Sequence, residues 1–104
     1  EVWRDTLHNS ALYATLGAPS PAAGADAGYA VRAVHRKHFL PTYGLFDEER
    51  FVERGLDVRA FDAPWGRAAM LVCEDVWHAL PATIAALDGA RVVFVLSAAP
   101  ARGA

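Results

Sequence analysis

Five consecutive apolar residues, Ala68-Ala69-Met70-Leu71-Val72, stop abruptly at Cys73-Glu74-Asp75. A short apolar run bounded by turn residues reads as a strand covered on both faces. Pro64-Trp65-Gly66 supplies the turn before it, so a strand is expected over residues 67–73. Beyond it, Leu80, Ile84 and Leu87 fall at i, i+4 and i+7, which predicts a helix over about residues 79–88 with that stripe on one face. Pro81 suits the first turn of such a helix and Gly89 its stop. Residues 91–97 are apolar at both parities and predict a second strand with two covered faces. Strand, helix and strand make a parallel β-α-β unit. Its two C-terminal strand ends share one edge, where open α/β sheets bind ligands. Cys73 and Ser97 each end a strand at that edge.

The first half of the chain has a weaker pattern. Residues 8–16 and 29–38 read as two strands, antiparallel across the Gly/Ala/Pro-rich loop 17–28. Side chains alternate along a strand, so Tyr29, Val31, Ala33, His35 and Lys37 share one face, with Arg32, Arg36 and His38 on the other. Lys37 therefore lies on the more apolar face, where its charge is costly to bury without a partner. Residues 39–55 read as a loop with a short helix over 48–54, capped by Asp47 and ended by Gly55. Residues 57–63 alternate like a strand. There is no internal repeat.

Composition narrows the class. The 104 residues hold at most one domain, and 54% are hydrophobic against 21% charged. That surplus predicts elements covered on both faces, or surfaces that meet parts of a larger domain. The chain starts at Glu1 and stops at Ala104, just after a strand-like run, so a central fragment of one domain is expected over 1–104. A net charge of −2 argues against nucleic acid or an anionic membrane as partner. A single cysteine cannot form an internal disulfide, which favours a reducing, cytoplasmic setting. No apolar stretch approaches the ~20 residues that span a bilayer.

Two strings carry the chemistry. Cys73 offers a thiol whose thiolate is a good nucleophile, and a nearby cation favours that form. A strand-to-helix turn adds backbone N–H groups for an oxyanion. The competing reading is a packed core thiol, since Cys is among the most buried residue types; the acidic pair Glu74-Asp75 directly after it weighs against that. Lys37 fits an electrophilic stabiliser, or a strand-end lysine that snorkels to water. Glu48 could orient Lys37 or a substrate, or simply favour a helix start. The four histidines have no metal-site spacing, and there is no Gly-rich phosphate loop.

The string His35-Arg36-Lys37-His38-Phe39-Leu40-Pro41, followed by Cys73-Glu74-Asp75-Val76-Trp77, resembles the nitrilase superfamily of carbon–nitrogen hydrolases. The intervening Thr42-Tyr43-Gly44-Leu45-Phe46-Asp47-Glu48-Glu49-Arg50-Phe51 brings it nearest to the glutamine amidohydrolase domains of glutamine-dependent NAD synthetases, or to stand-alone amidases like them. The resemblance implies an α/β fold, here a fragment of an α-β-β-α sandwich, and a Glu-Lys-Cys triad. Carried over, Cys73 is the nucleophile, Lys37 stabilises the tetrahedral oxyanion together with the Glu74 N–H, and Glu48 is a second, supporting glutamate. Tyr43, Phe46, the Glu74 side chain, Ser97 and, more weakly, Arg102 fall where the substrate is held. The resemblance implies no metal or organic cofactor. It implies a small amide or nitrile as substrate, and a homo-oligomer of the full-length protein.

One departure matters. The family's general base is a glutamate well upstream of the strand that contains Asn9-Ser10-Ala11, and Glu1 is too close to that strand to be it. Amide hydrolysis through a cysteine thioester is the leading reading. A nitrilase, carbamoylase or acyltransferase of the same fold, and a non-catalytic assembly member, are the alternatives. An ATP-dependent synthetase domain downstream would make NAD a product. The isolated 104 residues are expected to be inactive: an ammonia-release assay on them should stay at background, and turnover abolished by Cys73→Ala would contradict that.

Overall fold

The computed structural model describes residues 1–17, 29–40 and 48–98. In chain order the described elements are β1 (Val2–Trp3), β2 (Thr6–Leu7), β3 (Ser10–Leu16), β4 (Tyr29–Arg36), a 3-10 turn (Glu48–Arg50), β5 (Phe61–Ala63), β6 (Gly66–Val72), a 3-10 helix (Cys73–Trp77), α1 (Ala79–Leu87) and β7 (Val92–Leu96).

The apolar run forms the centre. β6 pairs antiparallel with β5 through the Pro64-Trp65 turn, and parallel with β7 from Ala68↔Val92 to Val72↔Leu96. Its two parities face two different partners. Ala69 and Leu71 pack with Val58 and with Ala85 of α1, and Ala82 and Ala90 flank them. Met70 and Val72 pack with Ala11 of β3, next to Tyr13, Ala33, Phe61 and Cys73. A helix thus covers one face of the β5-β6-β7 sheet and the β3-β4 sheet covers the other, giving three layers. Ala68, Ala69 and Leu71 are fully buried between them. At about 25 cal/mol per Å² of apolar surface, this sandwiched strand is where burial stabilises the fold most.

The β-α-β unit is present as expected, but α1 is turned. Pro81 and Ala85 are its buried residues, whereas Leu80, Ile84 and Leu87 are 58%, 37% and 84% exposed. Small side chains let the helix sit close over Ala69, and the larger stripe points outward. β7 is likewise exposed at all five positions, so the described residues leave uncovered the two faces its composition predicts to be covered. The helix stop is as expected: the Ala90 N–H reaches the Ala85 carbonyl at 3.0 Å and the Gly89 N–H that of Ala86 at 3.0 Å. This pair closes a Schellman motif, with Gly89 at a φ of +92°.

The first half departs further from its pattern. β3 begins at Ser10, and His8 instead forms an isolated parallel bridge with Glu53. In β4, Ala33 faces Tyr13 while Val31 faces Ala14, so Arg32 is an extra, bulged residue. The bulge breaks the expected alternation: Val31 is 49% exposed, whereas His35 and Lys37 stay buried at 5% and 2%. Only a single 3-10 turn replaces the helix expected over 48–54. The backbone after it is drawn into pairing elsewhere, with the Glu53 N–H on Leu7 O and the Gly55 N–H on Lys37 O, both at 2.8 Å. Of the strand expected over 57–63, only Phe61–Ala63 pairs. The hairpin β1–β2 has no sequence signal, because its turn places Arg4 and Asp5, rather than glycines, at positive φ.

Gly55 lies against the end of β4, and a Cβ there would overlap the backbone carbonyl of Arg36. The obstacle is backbone and cannot swing aside. Gly55→Ala should therefore destabilise the fold by about 1–3 kcal/mol, read as a lower urea midpoint with an unchanged slope. An unchanged midpoint would show that this approach is not tight.

Candidate active site

At the C-terminal end of β6 the chain turns sharply. Cys73 is half-buried and has a φ of +48°, a left-handed conformation that is uncommon outside glycine. A strained strand-to-helix turn is one way to lift a nucleophile off a sheet edge. Cys73 is thus the first residue of the 3-10 helix rather than the last of the strand. Ser97, just past β7, donates its hydroxyl to Cys73 Sγ at 3.7 Å. The parallel pairing has brought the two strand ends together as the sequence pattern required.

Lys37 follows β4 directly. Its backbone stays in register, with its N–H on Asn9 O and its carbonyl accepting from Gly55, both at 2.8 Å. Its side chain is 2% exposed, which sets aside the reading of a lysine that snorkels to water. A buried ammonium needs compensation from the groups around it.

What joins these two segments is Asp75, which is fully buried. Its Oδ1 accepts the backbone N–H of His38 at 2.9 Å and of Phe39 at 2.8 Å. Its Oδ2 accepts the Val72 N–H at 3.0 Å and faces His35 Nε2 at 2.8 Å. One carboxylate therefore ties the two residues after Lys37 to the residue before Cys73. Burial on its own raises this carboxyl. Hydrogen bonds from His35 and from the N–H groups of Phe39 and Val72, with the charge of His35, outweigh it and hold the carboxyl below its ordinary 3.8.

A second tie lies beside the first. His78 stacks on Phe39 with ring centroids 3.8 Å apart and planes 19° from parallel. Its Nε2 lies 3.8 Å from Glu74 Oε1, and the Glu74 side chain is 15% exposed. The Lys37 segment, the Cys73 turn and the Glu74 carboxylate form one connected cluster.

Of the residues expected from sequence, Cys73, Glu74 and Ser97 meet at one edge, and Lys37 is carried to the same turn by its neighbours. Glu48 lies in the 3-10 turn. Tyr43, Phe46 and Arg102 fall outside the described residues. Glu1 is held by the Ser10 hydroxyl at 2.7 Å and by Arg36 at 2.8 Å. Asp75, His35 and His78 join the site without a place among the residues expected from sequence. A signal for Asp75 existed, since an acid three residues after a helix N-cap reaches back to the N-cap N–H, here Val72. His35 and His78 had none, because their partners are distant in sequence or ring faces. Among the described residues no cluster of three or more His, Cys, Asp or Glu side chains could hold a metal ion, and no helix is long and apolar enough to cross a membrane.

No protein-family model matches the chain. It is 32% identical to the glutamine-dependent NAD(+) synthetase of Aquifex aeolicus over 73 residues, covering 67% of this chain and 12% of that protein. It is 33% identical to the enzyme of the same name from Acinetobacter baylyi over 70 residues, covering 67% and 13%. In three dimensions it matches the structure of glutamine-dependent NAD+ synthetase from Acinetobacter baumannii in complex with adenosine diphosphate. That match has a TM-score of 0.66 and 32% identity, over 70% of this chain and 14% of that one. The chain thus spans only 12–13% of the length of the curated relatives it matches.

The Asp75 cluster makes a prediction about pH. A carboxyl whose folded value lies below its unfolded value stabilises the fold above the unfolded value, and loses that contribution as pH falls through the folded one. Stability should therefore be held down to about pH 4 and fall below it. Asp75→Ala, which orphans one buried and two part-buried N–H groups, should cost on the order of 3 kcal/mol or more at neutral pH and flatten the acid limb. Urea unfolding from pH 2 to 7 checks both, and identical acid limbs would contradict the role given to Asp75.

Proposed function

Because the chain is a homologue of the glutamine-dependent NAD(+) synthetases, and fits their nitrilase-like glutamine amidohydrolase domain, we propose that the protein carrying it hydrolyses a small ω-amide, glutamine first, through a cysteine thioester. The observation that carries this reading is the junction of Cys73, at a left-handed strand-to-helix turn, with the buried Lys37 segment. The three layers of helix, sheet and sheet support the larger α-β-β-α sandwich that such a hydrolase would have.

In the proposed reaction Cys73 Sγ attacks the amide carbon and gives up its proton to a general base, a glutamate supplied by sequence outside these residues. The carbonyl oxygen becomes an oxyanion, met by the Lys37 ammonium and the Glu74 N–H. The C–N bond breaks, the amide nitrogen takes a proton and leaves as ammonia, and a thioester forms. Water then attacks the thioester, releasing the carboxylic acid and restoring the thiol. Lys37 suits the oxyanion because burial strengthens its field and spares reorganisation during the reaction. The Glu74 carboxylate, steadied by His78, suits an ammonium on the substrate, which favours glutamine over simpler amides. Tyr43, Phe46, Ser97 and Arg102 complete the proposed substrate side, and Glu48 supports Lys37. No metal or organic cofactor enters the scheme. A reducing cytoplasm would keep the lone thiol reactive.

The test is ammonia release by the full-length protein with glutamine, other amides and nitriles, beside Cys73→Ala and Lys37→Met. Release from glutamine is expected, with each variant down at least a thousandfold and still folded. Release that survives loss of the thiol would overturn the mechanism, and release only from nitriles or other amides would overturn the glutamine assignment.

A further inference from the structure

The proposed chemistry needs Cys73 and Lys37 in fixed relation, yet the two are 36 positions apart in sequence and follow strands of different sheets. No backbone ladder joins β4 to β6. A polar connection between the two segments at this edge is the Asp75 carboxylate, with four donors on its two oxygens. Resting on the reading above, we propose that Asp75 is a positioning residue for the reaction, aligned by His35, and that it sets the place of the Lys37 ammonium relative to the Cys73 thiol.

Three observations make this more than a structural hydrogen bond. The tie is local to the reacting groups: it grips His38 and Phe39 on one side and Val72 on the other, the chain neighbours of Lys37 and Cys73. It is built from backbone donors, so it moves main chain rather than a swinging side chain. Its fourth donor, His35, lies two residues before Lys37, buried like it, and shares Oδ2 with the Val72 N–H. A small displacement of one reacting group against another is enough to cost about a hundredfold in rate.

The chemistry of replacements separates the idea from simple destabilisation. Asn at position 75 keeps the size and one acceptor oxygen but turns an NH2 toward donors. Gln at position 35 places its amide nitrogen close to where His Nε2 lies, whereas Leu offers no donor. In the full-length protein with glutamine, Asp75→Asn and His35→Leu should lower kcat tenfold to a hundredfold with KM within about threefold, while His35→Gln recovers most of the loss. Equal changes in kcat and KM, or His35→Gln no better than His35→Leu, would overturn the proposal.

A second readout needs no substrate. Alkylation of Cys73 by iodoacetamide at neutral pH, followed by mass spectrometry on protein shown to be folded by circular dichroism, reports the thiolate directly. If Asp75 places the Lys37 cation, Asp75→Asn should slow alkylation severalfold. If Asp75 acts only as a neighbouring negative charge, its removal should leave the rate unchanged or raise it, and the proposal fails. Slowed alkylation in a protein that releases no ammonia from any amide would keep the positioning role and discard the glutaminase reading. Turnover with unslowed alkylation and unchanged kcat would do the reverse.

Discussion

A single buried carboxylate organises the functional end of this molecule. Asp75 has no exposed surface, yet its pKa is held down, which requires its surroundings to replace the lost water. They do so with three main-chain N–H groups and one imidazole. Hydrogen bonds to a charged acceptor are stronger than neutral ones, and together they offset the cost of desolvating the ion. The same dependence makes the site brittle. Neither β4 nor β6 has a backbone ladder to the other, so removing the carboxylate leaves orphan donors on both.

The layers explain why the carboxylate can sit there. β6 is built from small and medium apolar residues, and its two parities serve two different cores. Alanines at 69, 82, 85 and 90 bring α1 close, while Ala11 and Ala33 bring the second sheet close. Close approach places the exit of β4 against the exit of β6, and Asp75 falls in the gap between them. The larger apolar residues, Leu80, Leu87 and all of β7, lie on the outside of this packing. The apolar surplus in the composition is therefore real but is not used for the core described here.

The sequence was most legible where one physical pattern acted alone. The run Ala68–Val72 had only one sensible reading, and the strand–helix–strand order forced Cys73 and Ser97 to a shared edge. Lys37 on a buried face was also legible, but for a partly mistaken reason: strict alternation placed it there, whereas the bulge at Arg32 resets the parity and only Ala33, His35 and Lys37 keep the inward face. The orientation of α1 was not legible, since a leucine stripe and an alanine stripe are both apolar, and only packing distance chooses between them. The segment 48–55 failed because cross-pairing to Leu7 and Lys37 competes with local helix formation, and no window of sequence contains both partners. In the sequence Asp75 stands out only as half of an acidic pair. Its role depends on donors nearly forty residues away.

Position alone does not define a catalytic geometry; orientation must be held as well. A carboxylate clamp fixes a point, and a segment gripped at one point can pivot about it. The ring stack between Phe39 and His78 acts at a distance from that point and resists the pivot, since a near-parallel contact at 3.8 Å is lost on a modest rotation. The two ties differ in kind: one is electrostatic and weakens in acid, the other is largely dispersive and indifferent to charge on Asp75. Because His78 also approaches Glu74, the element that stops rotation of the lysine segment also steadies the carboxylate proposed to face the substrate. The Cys73 turn, the Lys37 segment and the proposed substrate-side acid are thus tied by these two contacts, each linking what the sheets leave separate.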